Sequence, residues 1–317
     1  MNAKITVVGS LNMDLVVRAP YIPQPGETII GSEFQTIPGG KGANQAVATA
    51  RLGGQVSMVG RVGDDAFADV LLDNLKSAEV DSTFVTRDLK TASGVALIVV
   101  DDQGENSIVV ASGANMHLTV EDIEAAKQII ADSDVLLLQL EVPLPVITRA
   151  AQIAQEHNVT VILNPAPAMT LPAELLELVD VLVPNESETA LLTGLLIESQ
   201  TELEKAAQSL LKSGLRSVVI TLGGRGAFLA SLDYETRLYE AFSVQPVDTT
   251  AAGDAFMAGL AVNYGAGKTL PDAIRWGNAA GAMATLRFGA QTSLPQKMEV
   301  ARLLKGEKPD SILGREP

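Results

Sequence analysis

Short, strand-sized apolar runs recur along the chain, and most are followed by a stretch whose apolar positions fall at helical spacing. "KITVVG" at 4–9 and "QVSMVGRVG" at 55–63 begin the series. From residue 130 onward the alternation becomes regular. "DVLLLQL" precedes a helical 144–156, and "VTVILN" follows; "VDVLVP" leads into "NESETALLTG", then a helix around 201–213, then "SVVITLGG". Parallel strands need a crossover between them, so this pattern predicts an α/β fold with a doubly wound, mostly parallel sheet flanked by helices. Residues 252–288 read as two Ala/Gly-rich helices joined by "GAGKT".

Two stretches keep a strand-like alternation without any helix, 12–37 and 92–111. "GVALIVVDDQGENSIVVASG" reads as a hairpin turning at DDQGEN. These segments predict a small antiparallel β lid (12–37 with 92–111) projecting from an α/β body made of 1–11, 38–91 and 112–317. Such a flap serves as a lid, a dimer interface or both.

Composition narrows the function. No apolar run reaches the roughly 20 residues that span a bilayer, and "MNAKITVVGS" enters a strand pattern at once, so neither a membrane anchor nor a signal peptide is expected and the cytoplasm is favoured. The absence of cysteine excludes disulfide and thiolate chemistry. A net charge of −15 repels polyanions, which argues against nucleic acid as a partner. A small phosphorylated ligand remains compatible where helix N-termini, one or two cations or Mg²⁺ supply local positive potential. His117 and His157 stand far apart with no second ligand at metal spacing, and both read as surface or capping residues.

Two glycine stretches compete as a phosphate cradle. "GAGKT" (265–269) has the tail of a G-x-x-x-x-G-K-[ST] loop, but Val262 stands where the first glycine belongs and the preceding residues are helical in pattern. Gly265 and Gly267 there suit a left-handed helix C-cap. "DTTAAGD" (248–254) instead follows the strand-like "YEAFSVQPV" and opens a helix, where unpaired N–H groups and the macrodipole favour an anion. Asp254 could accept a proton from a hydroxyl nucleophile or merely complement the helix dipole. "PGGKGANQAVATARLG" (38–53) is another glycine turn entering a helix, with Lys41 and Asn44 as donors; it reads equally as a plain tight turn. Asn12 and Asp14 lie two apart and so share one strand face, where an amide beside a carboxylate suits vicinal hydroxyls. Glu141 ends the strand "VLLLQLE" at the carboxyl edge where open α/β sheets bind ligands. Asn185 and Glu188 in "PNESE" have capping-box spacing. The glycines of "TLGGRGAF" form no dinucleotide fingerprint, and "VVGSLNMD" also lacks one, which argues against a Rossmann oxidoreductase.

Taken together, NMD, GGKGAN, the hairpin, LE, NPAPA, PNESE, TLGGRG and DTTAAGD, in that order, resemble the ribokinase family of sugar kinases nearly end to end. "GGKGANQAVATARLGGQVSMVGRVGDD" and "DTTAAGDAFMAGL" are similar to its two long signatures. The resemblance implies Asp254 as catalytic base, with Ala251, Ala252 and Gly253 as the anion hole. It implies Asn12, Met13, Asp14, Gly40, Lys41, Gly42, Asn44 and Glu141 at the sugar, and Asn185, Thr221, Gly223, Gly224, Gly226, Gly253 and Asn278 at ATP. Glu188 would act on Mg²⁺ through water. Asp248, Thr250, Ala284, Arg287, Gly289 and Ser293 would form a monovalent-cation site for K⁺. The implied partners are ATP and a pentose, ribose first, with deoxyribose or a nucleoside as the alternative, and the lid would pair two subunits in a homodimer. A non-catalytic sugar or nucleotide sensor on the same scaffold would not need to keep Asp254. Departures from the pattern are small: Ala255 and Met257 follow Asp254 where relatives often carry polar residues, and Ala68 replaces a common glycine.

Overall fold

The computed structural model describes residues 2–314. Nine strands form the central sheet. They are β1 (Lys4–Val8), β4 (Gln55–Gly63), β5 (Asp81–Asp88), β8 (Val135–Leu138), β9 (Thr160–Leu163), β10 (Val181–Leu182), β11 (Ser217–Thr221), β12 (Ala227–Ser231) and β13 (Arg237–Tyr239). Their order is β13-β12-β11-β10-β9-β8-β1-β4-β5, with every neighbouring pair parallel except β11–β12 and β12–β13, so that β12 alone runs against the others. The intervening β2 (Asn12–Arg18), β3 (Glu33–Gly39), β6 (Gly94–Val100) and β7 (Asn106–Ala111) make a separate four-stranded sheet ordered β3-β2-β6-β7.

The strands read as continuous apolar runs because helices cover both faces. Along β1, Ile5 and Val7 face one core cluster and Val8 the other. The first cluster packs the sheet against helices Lys41–Arg51, Ala252–Gly265 and Leu270–Ala284; the second packs it against Leu144–Glu156 and Gln200–Lys212. Each fully buried Leu or Ile contributes about 1.5–3 kcal/mol.

The helices expected at 144–156 and around 201–213 are present as Leu144–Glu156 and Gln200–Lys212. In the small sheet the outer pairs β2–β3 and β6–β7 are antiparallel, but β2 and β6 run parallel, joined through β3, β4, β5 and the two helices between them. Residues 240–247, read as part of a strand, are not one; β13 stops at Tyr239. Pro246 has no N–H for a ladder, and the N–H groups of Val247 and Asp248 both turn to the Thr285 carbonyl instead. Glu141 likewise lies three residues past the end of β8 rather than within it.

The C-terminal ends of β1, β8, β9, β10 and β11 all open on one edge of the sheet. Chain connections leave β1 for β4 on one side and return to β8 on the other, so a crevice opens between them, as at the switch points of other doubly wound sheets. The small sheet rises from this edge, because β2 begins directly after β1.

Candidate active site

The crevice is floored by Asp254 in the first turn of helix Ala252–Gly265. No side chain caps this helix, and its N-cap, Ala251, adopts a left-handed φ of 59°. A non-glycine residue there costs about 1–2 kcal/mol. The twist turns the chain sharply from the 248–250 loop into the helix. The Ala252 N–H donates to the Thr249 carbonyl at 3.2 Å, whereas Gly253 is exposed with nothing within 4 Å of where a Cβ would stand. The open amide of the predicted anion hole is therefore that of Gly253 more than that of Ala252.

Opposite lies the glycine turn into helix Lys41–Arg51. Gly40 has φ +88°, and a Cβ there would come within 2.7 Å of the Asn12 nitrogen, so only glycine brings the helix start this close to β2. A Cβ on Gly42 would meet the Ser10 nitrogen at 2.5 Å. The helix start then presents Lys41, Asn44 and Gln45 to the crevice. Asn44 Nδ2 and Gln45 Nε2 donate to Asp254 Oδ2 and Oδ1, each at 3.0 Å. The Glu141 carboxylate accepts from the Lys41 N–H at 3.1 Å and from the Ser10 hydroxyl.

Asn12 and Asp14 share one face of β2, as their spacing predicted. Asn12 Oδ1 accepts from Asn115 Nδ2 at 2.7 Å, and Asn115 also pins both backbone groups of Leu11. Met13 points the other way, into the core, so its side chain does not line the crevice. Asp14 is pushed up to about 7 by burial, then by the nearby charges of Glu141 and Asp254. Burial alone would lower the Lys41 ammonium, but Asp254, Glu141 and Glu188 outweigh it and hold it above its ordinary value. Asn44 Oδ1 is buried with no hydrogen-bond partner among the described residues, an orphan that a hydroxyl donor would satisfy.

A cavity of about 230 Å³ runs from Lys41 and Asp254 past Glu188 to Thr221. Asn185 and Glu188 form a reciprocal capping box on helix Glu186–Thr193. Both Glu188 oxygens already accept from Asn185, at 2.8 and 2.9 Å, and burial raises the carboxyl despite that contact and Lys41. Gly223 and Gly224 border open space. Gly226 and Asn278 are committed to the fold: a Cβ on Gly226 would sit 2.1 Å from the Tyr239 carbonyl, and Asn278 Nδ2 donates to the carbonyls of Tyr239 and Glu240.

Below the helix, Asp248 accepts from Thr250 N–H, Thr250 Oγ1 and Gly289 N–H at 2.7–2.9 Å. Burial would raise this carboxyl, but these donors and Arg18 bring it below its usual range. Ala284 ends the helix just before Thr285, whose carbonyl receives Val247 and Asp248; Arg287 pairs with Glu299, and the Ser293 hydroxyl donates to the Ala290 carbonyl. Among the described residues no group of three or more His, Cys, Asp or Glu is arranged to hold a metal ion. No helix among the described residues is long and apolar enough to cross a membrane.

"GAGKT" lies at the far end of helix Ala252–Gly265, about 20 Å from Asp254 by helix rise. Gly265 is the last helical residue and Gly267 alone is left-handed, with φ +81°. The N–H groups of Gly267 and Lys268 bond the carbonyls of Tyr264 and Asn263, closing a Schellman cap. Sequence reasoning assigned no role to Gln45, Ser10, Asn115, Gln139 or Asn164, although Gln45 and Asn164 lie inside the quoted GGKGANQ and NPAPA stretches.

The model of the pfkB family carbohydrate kinases matches residues 2–297. The chain is 42% identical over 305 residues to a ribokinase of Haemophilus influenzae, covering 96% of this chain and 99% of that one. It is 38% identical over 292 residues to a deoxyribokinase of Salmonella typhi, covering 92% and 95%. Among solved structures, an Arabidopsis thaliana ribokinase complexed with ribose and ATP superposes with a TM-score of 0.89 at 33% identity, covering 96% of this chain and 99% of that one.

Proposed function

Because the chain belongs to the pfkB family of carbohydrate kinases, we infer that it is a phosphotransferase with an alcohol acceptor, passing the γ-phosphoryl group of ATP to the primary hydroxyl of ribose to give ribose 5-phosphate and ADP. The observation that carries this reading is Asp254, a carboxylate held at both oxygens beside an open helix-terminal amide. Asp254 takes the proton of the attacking hydroxyl, and the Gly253 amide offsets charge on the phosphoryl group in flight. Asn12 Nδ2, Asp14, Lys41 and Asn44 Oδ1 hold the sugar hydroxyls. Gly223 and Gly224 leave room for the nucleotide. The small sheet closes over the site and keeps water from competing as acceptor.

Glu188 would reach Mg²⁺ through water when the ion is bound with ATP, and the ion would supply neutralisation of phosphate charge. K⁺, when bound, would be held at the loop around Asp248 and Thr250, which leads directly into the helix turn at Ala251–Gly253. Activation by K⁺ but not by Na⁺ at equal ionic strength, lost in Asp248→Ala, is the test; indifference of the desalted enzyme to K⁺ refutes it. Phe34, Leu97 and Val109 lie exposed on the face of the small sheet opposite Asn12 and Asp14, which supports a homodimer through the lid. Sedimentation of Leu97→Asp as a monomer, with the wild type a dimer, checks it. The cytoplasm, where ATP is abundant, is the proposed location.

The 38% identity to a deoxyribokinase keeps 2-deoxyribose as the second reading. A coupled ADP-release assay over ribose, 2-deoxyribose, fructose and nucleosides decides between them. Turnover of ribose at the highest kcat/KM is expected; preference for another acceptor overturns the assignment.

A further inference from the structure

Two glutamine side chains with no exposed surface stand behind Asp254. Gln45 donates Nε2 to Asp254 Oδ1 at 3.0 Å, and its Oε1 accepts from Gln139 Nε2 at 2.7 Å. Gln139 lies just past β8, and its own Oε1 has no hydrogen-bond partner among the described residues. That oxygen rests against Gly9, where a Cβ would come within 2.0 Å of it. Burying an amide oxygen unpaired is costly, so the arrangement is not what simple filling of a gap would select. A primary amide can be turned end for end. Only one sense puts an N–H on the Asp254 carboxylate; the other sets oxygen against oxygen. The donor on Gln139 selects the first sense, because it requires Gln45 to turn Oε1 away from Asp254.

We propose that Gln45 and Gln139 are positioning residues for the transfer: Gln139 fixes the sense of the Gln45 amide, and Gln45 fixes the Asp254 carboxylate with one oxygen directed at the sugar hydroxyl. This rests on the reading of Asp254 as the base. Asp14 on β2 and Lys41 at the start of the Gln45 helix both feel the Asp254 charge, and Glu141 beyond β8 and Glu188 on helix Glu186–Thr193 act on the same Lys41. Amid three further carboxylates and one ammonium, a neutral donor orients the base without adding a cation that would compete for the phosphoryl group. Gln45 Nε2 also lies 3.4 Å from Asn164 Oδ1, which restrains the same amide from the end of β9.

The test uses the full chain with isosteric Gln45→Met and Gln139→Met, the charged variant Gln139→Glu, and Asp254→Asn as reference. Gln45→Met should lower kcat about 10- to 100-fold, the worth of one hydrogen bond to a charged group. The ATP KM should stay within about twofold, and the acid limb of the kcat–pH profile should move to higher pH, since a proton on Asp254 no longer competes with a donor. Gln139→Met should act in the same direction by less, and the double variant should be no worse than Gln45→Met alone. In Gln139→Glu the new side chain donates only while protonated, so kcat should fall with rising pH along a limb the wild type lacks. That last readout is available even where the Met variants fold poorly. An inactive Asp254→Asn beside Met variants of wild-type kcat and profile overturns this inference and leaves the base intact. Losses that track a lowered Tm, with no displaced limb and no new limb in Gln139→Glu, also overturn it. An active Asp254→Asn overturns the base reading and this inference together.

Discussion

At the proposed sugar end of the cleft Asn12, Asn44 and Asp254 are buried and each is tied to another side chain; at the proposed nucleotide end Gly223, Gly224 and Gly253 offer exposed backbone, with none of the described residues within 4 Å of an added Cβ. On that assignment the difference follows from the ligands. A pentose shows little but hydroxyls, and a site built of directional donors and acceptors rejects a sugar that leaves one unpaired. A nucleotide is large, flat at one end and charged at the other, and it needs room and amides more than side chains. On this proposal rigid side chains carry selectivity and open backbone carries accommodation. Asp254 would belong to both ends: its carboxylate is gripped by Asn44 and Gln45, and its backbone sits in the first turn of the helix proposed to face the phosphate.

The sharpest way to break that comparison is to remove the base alone. Asp254→Asn keeps the shape and the hydrogen-bonding reach but cannot take a proton, so kcat should drop about 10²–10⁴-fold, or 3–5 kcal/mol of barrier. Ribose affinity by calorimetry should change far less. A variant with near-normal kcat would move the base elsewhere in the cleft.

Asp14 sharpens the sugar side. Asp14→Ala should raise the ribose KM about tenfold or more, with the ATP KM little moved; equal rises in both would sink the assignment. The same residue gives a pH signature. Its carboxyl stands at about 7 in the fold against 3.8 in the unfolded chain. Below pH 4 it is protonated in both states and costs nothing. As pH rises from 4 to 7 the unfolded chain gives up the proton and the native state keeps it, so stability is lost, by about 2–4 kcal/mol once both are ionised. Asp14→Asn should remove this loss. Thermal unfolding without ligand at pH 5 and pH 8 should therefore bring the variant's largest advantage at pH 8, and a pH-independent difference would contradict the buried-charge account.

Gly224→Ala probes the open end. Nothing lies within 4 Å of the added Cβ and the backbone φ is ordinary, so the fold should be unchanged within about 0.5 kcal/mol. The ATP KM should rise about threefold or more while the ribose KM holds. An unaltered ATP KM would mean that the nucleotide does not use this space.

The two ends also differ in how legible they were in the sequence. Strands buried on both faces read as apolar runs, and the helix starts at 41 and 252 were announced by glycines, a lysine and an aspartate placed together. Each of those signals is local. Gln45 and Gln139 meet across 94 residues of chain, and Asn115 reaches Leu11 across 104. Gln45 stands inside the GGKGANQ stretch, yet nothing in that window or around Gln139 and Asn115 says which distant group each amide meets. The loop 240–247 was misread for a related reason: its apolar residues look like a strand, while its backbone partner, the Thr285 carbonyl, lies at the end of a distant helix. The parallel β2–β6 pair was missed because two strand-like stretches suggest hairpins until the body between them is placed.

The smallest expected effect separates the two glycine stretches at the ends of one helix. Lys268 is the residue that makes "GAGKT" look like a phosphate loop, yet its side chain is exposed and its part in the Schellman cap is played by its backbone N–H, bonded to the Asn263 carbonyl at 3.1 Å. Alanine keeps that N–H. Lys268→Ala should therefore cost under about 1 kcal/mol of stability and leave kcat and both KM values near wild type. Gly267→Ala, by contrast, forces a Cβ into a φ of +81° and should cost about 1 kcal/mol or more in thermal unfolding, again without touching the kinetics. Circular dichroism should show both variants folded before either is assayed. A folded Lys268→Ala that had lost ATP turnover would place the phosphate about 20 Å from Asp254, a separation no phosphoryl transfer can bridge. The open backbone at Gly253 would then lose its role, and with it the division of labour between the two ends of the cleft.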